Sequence, residues 1–151
     1  MLRTRLEQAL KEAVLARAER AVSTLRLILA ALKDRDIAER GKGNPDGLDE
    51  TQIQTMLLSM IKQRRESIKA YEQGNRPELA RQEAEEITII EAFLPKQMND
   101  VAIEGAVAAT IEDVGGRTLK DMGRVMAALK ERYAGQMDFV KASALVKQHL
   151  G

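Results

Sequence analysis

Apolar residues recur along this chain at threes and fours, and almost nowhere in the strict alternation of a half-buried strand. Leu2, Leu6, Leu10 and Val14 mark a first helix. After a short polar break Val22, Leu25, Leu29 and Leu32 mark a second, separate or continuous with the first through a bend. "ERGKGNPDGL" gathers three glycines and a proline into a loop, read as a flexible turn. Asp49 with Gln52 resembles a capping box, opening a third helix with the apolar face Ile53, Leu57, Met60, Ile61, Ile68 and Tyr71. Gly74 and Asn75 end it. Pro77 suits the first turn of a fourth helix carrying Leu79, Ile87, Ile90 and Leu94, which Pro95 stops. Beyond Pro95 the pattern predicts three shorter helices: Asn99 to Val114 closed by "GG", one from Thr118, and one from Asp138 to the end. The fold class expected is all-α. A larger four-helix subdomain, residues 1–95, precedes a three-helix subdomain, residues 96–151, with a hinge expected at Phe93 to Gln97.

Some polar residues break this pattern. On a helical wheel Arg64 falls in the middle of the third helix's apolar face, and Glu83 and Glu86 fall within that of the fourth. A guanidinium buried alone costs several kcal/mol, so adjacent antiparallel helices with opposite charges on facing sides predict an ion pair of Arg64 with Glu83 or Glu86. A carboxylate activated by burial for catalysis is the weaker reading, because no acid or base partner is visible. The second misfit is Gly123 in "TLKDMGRVMAALKERYAG", in the second turn of an otherwise regular helix, where alanine is more stable by roughly 0.5 to 1 kcal/mol.

Composition narrows the chemistry. With 44% hydrophobic and 31% charged residues the chain should fold, with Leu, Ile, Val, Met and Ala filling a core that has only two Phe, two Tyr and no Trp. Lys and Arg outnumber Asp and Glu by 24 to 23, so only the distribution of charge can point to a partner. The absence of cysteine removes thiolate catalysis and thiolate metal ligation and fits a reducing cytoplasm. One histidine, His149, cannot assemble a zinc site and reads as a residue of a final helical turn. Ser23, Ser59, Ser67 and Ser143 lie inside helices, none in a nucleophile elbow, and "RGKGNPDG" lacks the order of a phosphate loop. No catalytic residue, metal or cofactor is therefore expected. "MLRTRLEQALKEAV" lacks the apolar run of a signal peptide, and nothing approaches a membrane span.

The run "KQRRESIKAYEQGNRPELARQEAEEITIIEAFLPKQM" from Lys62, with "STLRLILAALKD" at Ser23 and "KDMGRVMAALKERYAG" at Lys120, resembles the GatB/YqeY family over essentially the whole chain. The resemblance implies a small all-helical protein of a larger and a smaller subdomain. It is also similar to the tail of the B subunit of the tRNA-dependent amidotransferase, and to modules appended to some glutaminyl-tRNA synthetases. It therefore implies tRNA binding in service of amidation or aminoacylation. Catalysis is not implied, because the amidotransferase's chemistry lies in domains absent from this chain, and a carbon-nitrogen ligase label would be inherited from the family.

The residues support RNA binding modestly by themselves. Lys62, Arg65 and Lys69 lie together opposite the third helix's apolar face, and Arg26, Lys33 and Arg40 recur every seven residues along one edge of the second. Single-strand readers stack bases on aromatic rings, which are too few here, so a folded RNA met through phosphates and shape remains. Around Gly123, the wheel buries Met122, Val125, Met126, Leu129 and Tyr133 and turns Lys120, Arg124, Ala127 and Glu131 away. Gly123 and Ala127 make a low strip beside cations, and Thr118 as N-cap would leave amides and the dipole end open to an anion near Arg117 and Lys120. A tRNA backbone laid across Arg117, Lys120, Gly123, Arg124 and Ala127 is one reading; close packing of a neighbouring helix against Gly123 is the other. At the level of function the alternative is a helical adaptor for an aminoacyl-tRNA synthetase or amidotransferase subunit.

Overall fold

The structure, a computed structural model, describes residues 1–151. It is all-α, with helices α1 Leu2–Leu15, α2 Glu19–Gly41, α3 Glu50–Gln73, α4 Pro77–Glu91, α5 Asp100–Val114, α6 Met122–Arg132 and α7 Phe139–Leu150, and a 3-10 turn at Leu119–Asp121 before α6. The chain divides into two compact units, Met1–Pro95 and Lys96–Gly151. No helix is long and apolar enough to cross a membrane.

In the first unit α1 and α2 form one hairpin and α3 and α4 another, around Leu6, Ile28, Ile53, Met56, Leu57 and Ile90, all fully buried. Arg17 and Asn75, both with positive φ, stand where the hairpins turn. Val14 departs from the expected face. It is 48% exposed and Ala13 is buried in its place. Each four-residue step advances 40° past a full turn, so three steps from Leu2 carry Val14 off the face that Leu2 and Leu6 occupy. The capping box at α3 is present: Gln52 N–H donates to Asp49 Oδ1 at 2.8 Å and Asp49 N–H donates to Gln52 Oε1 at 2.9 Å. α4 ends at Glu91, three residues before Leu94: Ala92 keeps helical dihedrals, and the Phe93 and Leu94 amides tighten onto the carbonyls of Ile90 and Glu91 before Pro95 stops the chain.

The expected flexible turn after α2 is instead tied to the core. Asp36, 6% exposed, takes Arg3 Nη1 on Oδ2 at 2.5 Å and both Arg3 Nη2 and the Leu48 amide on Oδ1 at 2.6 and 2.9 Å. Arg3 also donates to the Leu48 carbonyl at 2.8 Å. The Arg3 guanidinium above all, and then the Leu48 amide, hold the Asp36 carboxyl down to about 2 against the effect of burial. Gly47 makes this closure possible. Its φ is +75°, and a Cβ there would run into the Asp36 carboxylate.

In the second unit α5, α6 and α7 enclose Ile103, Val107, Val125, Leu129, Met137 and Val146. Asn99 caps α5 by accepting from Ala102 N–H at 2.8 Å, so the helix starts at Asp100 without the glutamate of a full box. Gly115 closes it in the left-handed conformation. Asp138 accepts from the Val140 and Lys141 amides at the start of α7. Gln97 Nε2 and Met98 N–H donate to the carbonyls of Gly135 and Gln136, which fixes the entry into this unit.

Candidate nucleic-acid interface

The helix expected from Thr118 forms in two pieces. The 3-10 turn Leu119–Asp121 comes first, and Gly123 then occupies the first turn of α6. Interior helix penalties for glycine do not apply in full at a first turn, which removes part of the puzzle that this residue poses. The rest is answered by space. A Cβ on Gly123 would meet no heavy atom within 4 Å, so no neighbouring helix packs against it and the close-packing explanation is corrected. Val125 and Leu129 face the core, while Arg117, Lys120, Gly123, Arg124 and Ala127 are all exposed.

Electrostatics at this strip differ from the expectation of open amides. Asp121 Oδ2 accepts the Arg117 and Thr118 amides at 2.9 and 3.2 Å, and Oδ1 pairs with Arg124 Nη2 at 3.1 Å. Those amides, Arg117 first, lower the Asp121 pKa. A carboxylate of the chain itself thus holds part of the helix start that an outside anion would use. The cations remain for an anion: Arg117 and Lys120 make no ion pair, and Arg124 is shared with Asp121.

On α3, Lys62, Arg65 and Lys69 are exposed, with Arg65 Nη2 3.2 Å from Glu91 of α4. They belong to the first unit, and the strip on α6 to the second. Arg64 and Glu86 lie between α3 and α4 with side chains 12% and 16% exposed, Arg64 Nε donating to Glu86 Oε2 at 2.9 Å and Nη1 to the Met60 carbonyl at 3.1 Å. Of the two glutamates compatible with the wheel, Glu86 takes the guanidinium. Glu83 sits beside the pair with its pKa raised by burial first and by the Glu86 charge second, with Arg64 opposing. His149 is 3.4 Å from Glu104, at the surface of the second unit. The Arg3–Asp36 clamp was not foreseen; its one sequence signal is Arg3 on α1, Asp36 on α2 and a glycine at the loop's close.

A small helical protein of two units, with its free cations on outward helix faces, is the class that these features define. A family model described as Yqey-like protein matches residues 3–150, and the chain belongs to that family. It is 30% identical over 109 residues to Altered inheritance of mitochondria protein 41, mitochondrial, of Lachancea thermotolerans, covering 72% of this chain and 55% of the relative. The protein of the same name from Eremothecium gossypii is 33% identical over 89 residues, 59% of this chain and 46% of the relative. That from Kluyveromyces lactis is 33% identical over 88 residues, 58% and 45%. The chain thus spans about half the length of the curated relatives it matches.

Proposed function

We propose that this chain is a non-catalytic accessory module that binds the body of a tRNA through phosphates and shape. The observation that carries the reading is the exposed strip Arg117, Lys120, Gly123, Arg124 and Ala127, where a glycine with open space around it lies among cations. Small residues admit a phosphate backbone close to the helix, and Arg117, Lys120 and Arg124 supply the counter-charge. Lys62, Arg65 and Lys69 are the second set of phosphate contacts in this reading. The resemblance to amidotransferase and glutaminyl-tRNA synthetase modules supports tRNA over other folded RNAs, with a synthetase or amidotransferase as the enzyme served. A cysteine-free chain suits a reducing compartment, and the cytoplasm is the one proposed, although the relatives carry mitochondrial names.

Titrating labelled tRNA at several salt concentrations tests this. Lys120→Glu with Arg124→Glu should weaken binding and lower the slope of log affinity against log salt by about 2, since each lost phosphate contact removes about 0.9. Gly123→Ala should weaken binding while leaving stability equal or higher by at most about 0.5 kcal/mol. Unchanged tRNA affinity in both variants removes the strip from the site, and no salt dependence in the parent chain removes the function.

A further inference from the structure

The outward face of α2 carries an apolar seam that the tRNA reading does not use, beside the row Arg26, Lys33 and Arg40 that the sequence alone offered to RNA. Ser23, Leu27, Ala30, Asp34, Ile37 and Gly41 follow one another at alternating spacings of four and three, and all are exposed. Leu27 is 51% and Ile37 56% exposed, on a helix whose opposite face buries Leu25, Ile28 and Leu32. This is the spacing of a heptad seam, the pattern by which one helix packs along another. Arg26, Lys33 and Arg40 stand one position before Leu27, Asp34 and Gly41, at the flank where coiled coils place the charges that choose a partner. Arg26 and Lys33 have no ion-pair partner within the chain, and Arg40 donates only to the Pro45 carbonyl at 3.2 Å. Ala31 and Ala38 line the other flank with small side chains.

We propose that this face docks an amphipathic helix of a partner protein, with acidic residues along one flank and a basic residue in its apolar seam opposite Asp34. Each alternative occupant conflicts with a residue. A second copy packed antiparallel would set the row Arg26, Lys33 and Arg40 against itself, and a parallel copy would bring two Asp34 carboxylates together in the seam. A lipid surface would bury Asp34 in the middle of the inserted face. RNA phosphates would use the cations and leave Leu27 and Ile37 without a role. An acidic amphipathic helix matches all three features: apolar seam, central carboxylate and cationic flank.

The test uses the full chain and a synthetic peptide of about three heptads with Leu at seam positions, one seam Lys and Glu at the flanks. A control peptide carries Lys at the flanks. By fluorescence anisotropy the Glu peptide should bind with a Kd of about 1–100 μM and the Lys peptide at least about tenfold more weakly. Replacing Leu27 and Ile37 with Lys should weaken the Glu peptide by about tenfold or more. Reversing Arg26, Lys33 and Arg40 to Glu should invert the preference between the two peptides. All these positions are exposed, so folding, followed by circular dichroism, should be retained. The proposal is overturned by absent binding of the Glu peptide, by binding indifferent to Leu27 and Ile37, or by loss of tRNA affinity in the Leu27 and Ile37 variant, which would make this an RNA surface.

Discussion

In the first unit two ion pairs sit at the edge of the core, Arg3 with Asp36 and Arg64 with Glu86, whereas the ion pairs of the second unit, Lys141–Asp100 and Arg132–Asp113 among them, join side chains at its surface. The units also differ in what fixes their helices. Long hairpins such as α1–α2 and α3–α4 meet through Leu, Ile and Met, whose attraction is not directional, so an ion pair that fits only one register adds specificity to their packing. The short helices of the second unit are placed by their ends instead. Asn99, Asp121 and Asp138 engage amides at three helix starts, and Gly115 closes α5. Interior charge, with the capping box of α3, orders the large unit; caps without interior charge order the small one, which leaves its surface cations on a well-placed helix start.

The comparison breaks most visibly at Asp36. Asp36→Ala takes the acceptor from the Leu48 amide and the carboxylate from the Arg3 guanidinium, which at 34% exposure is already partly solvated, and should destabilise the first unit by about 2–3 kcal/mol. Hydrogen exchange on the full chain should show the loss in residues 1–95 only. The same residue gives an acid limit. Its carboxyl titrates at 3.8 when unfolded and about 2 when folded, so the clamp's contribution is complete above the unfolded value and drains away as pH falls from about 4 toward 2. A variant lacking Asp36 should lose that portion of the acid dependence; an unchanged acid profile would mean that the clamp does not form in solution.

Arg64 offers a sharper contrast between removing a charge and removing a pair. Arg64→Met alone leaves Glu86 and Glu83 facing apolar side chains and should cost about 2 kcal/mol, less than a fully buried charge because Glu86 keeps 16% of its exposure. Combining it with Glu83→Gln and Glu86→Gln should recover most of that loss. Equal midpoints in urea for the single and combined variants would sink the view that these charges compensate one another.

How far the sequence reached depends on the range of the contact. Helix α3 with its capping box, α5 with its glycine stop, and Arg64 opposite the glutamates were legible because each depends on residues within one helix or on two helices joined by a short turn. Arg3 with Asp36 was not, since they stand at the far ends of α1 and α2 from the turn, and their meeting is completed by a loop carbonyl and amide at Leu48 that no helical wheel places. A run of glycines looks the same in sequence whether its backbone is loose or, as at Gly47, bent to let a carboxylate in. The candidate strip was legible as exposed cations around Gly123. Asp121 was missed because a helical wheel shows the direction of a side chain and not the amides that it can fold back to reach.

The smallest expected effect comes from two buried threonines, one in each unit. Thr24 and Thr110 are both fully buried in helices. Thr24 Oγ1 donates to the Arg20 carbonyl one turn back, at 2.8 Å, so its hydroxyl is satisfied by its own helix. Thr110 Oγ1 finds no partner, although it lies on the face of α5 that carries Ile103, Ala106 and Val107 into the core. An unpaired hydroxyl in apolar surroundings costs about 1 kcal/mol or more, and valine has the same shape and branching without it. Thr110→Val should therefore stabilise the second unit by about 1 kcal/mol, raising its midpoint by roughly 4–8 °C for a unit of this size. Thr24→Val should give the first unit no gain, because it removes a hydrogen bond along with the polar atom. Thermal melts of the two variants decide the matter: a Thr110→Val protein no more stable than its parent would mean that the hydroxyl is satisfied in solution, and that the small unit, like the large one, leaves no buried side-chain polar atom unpaired.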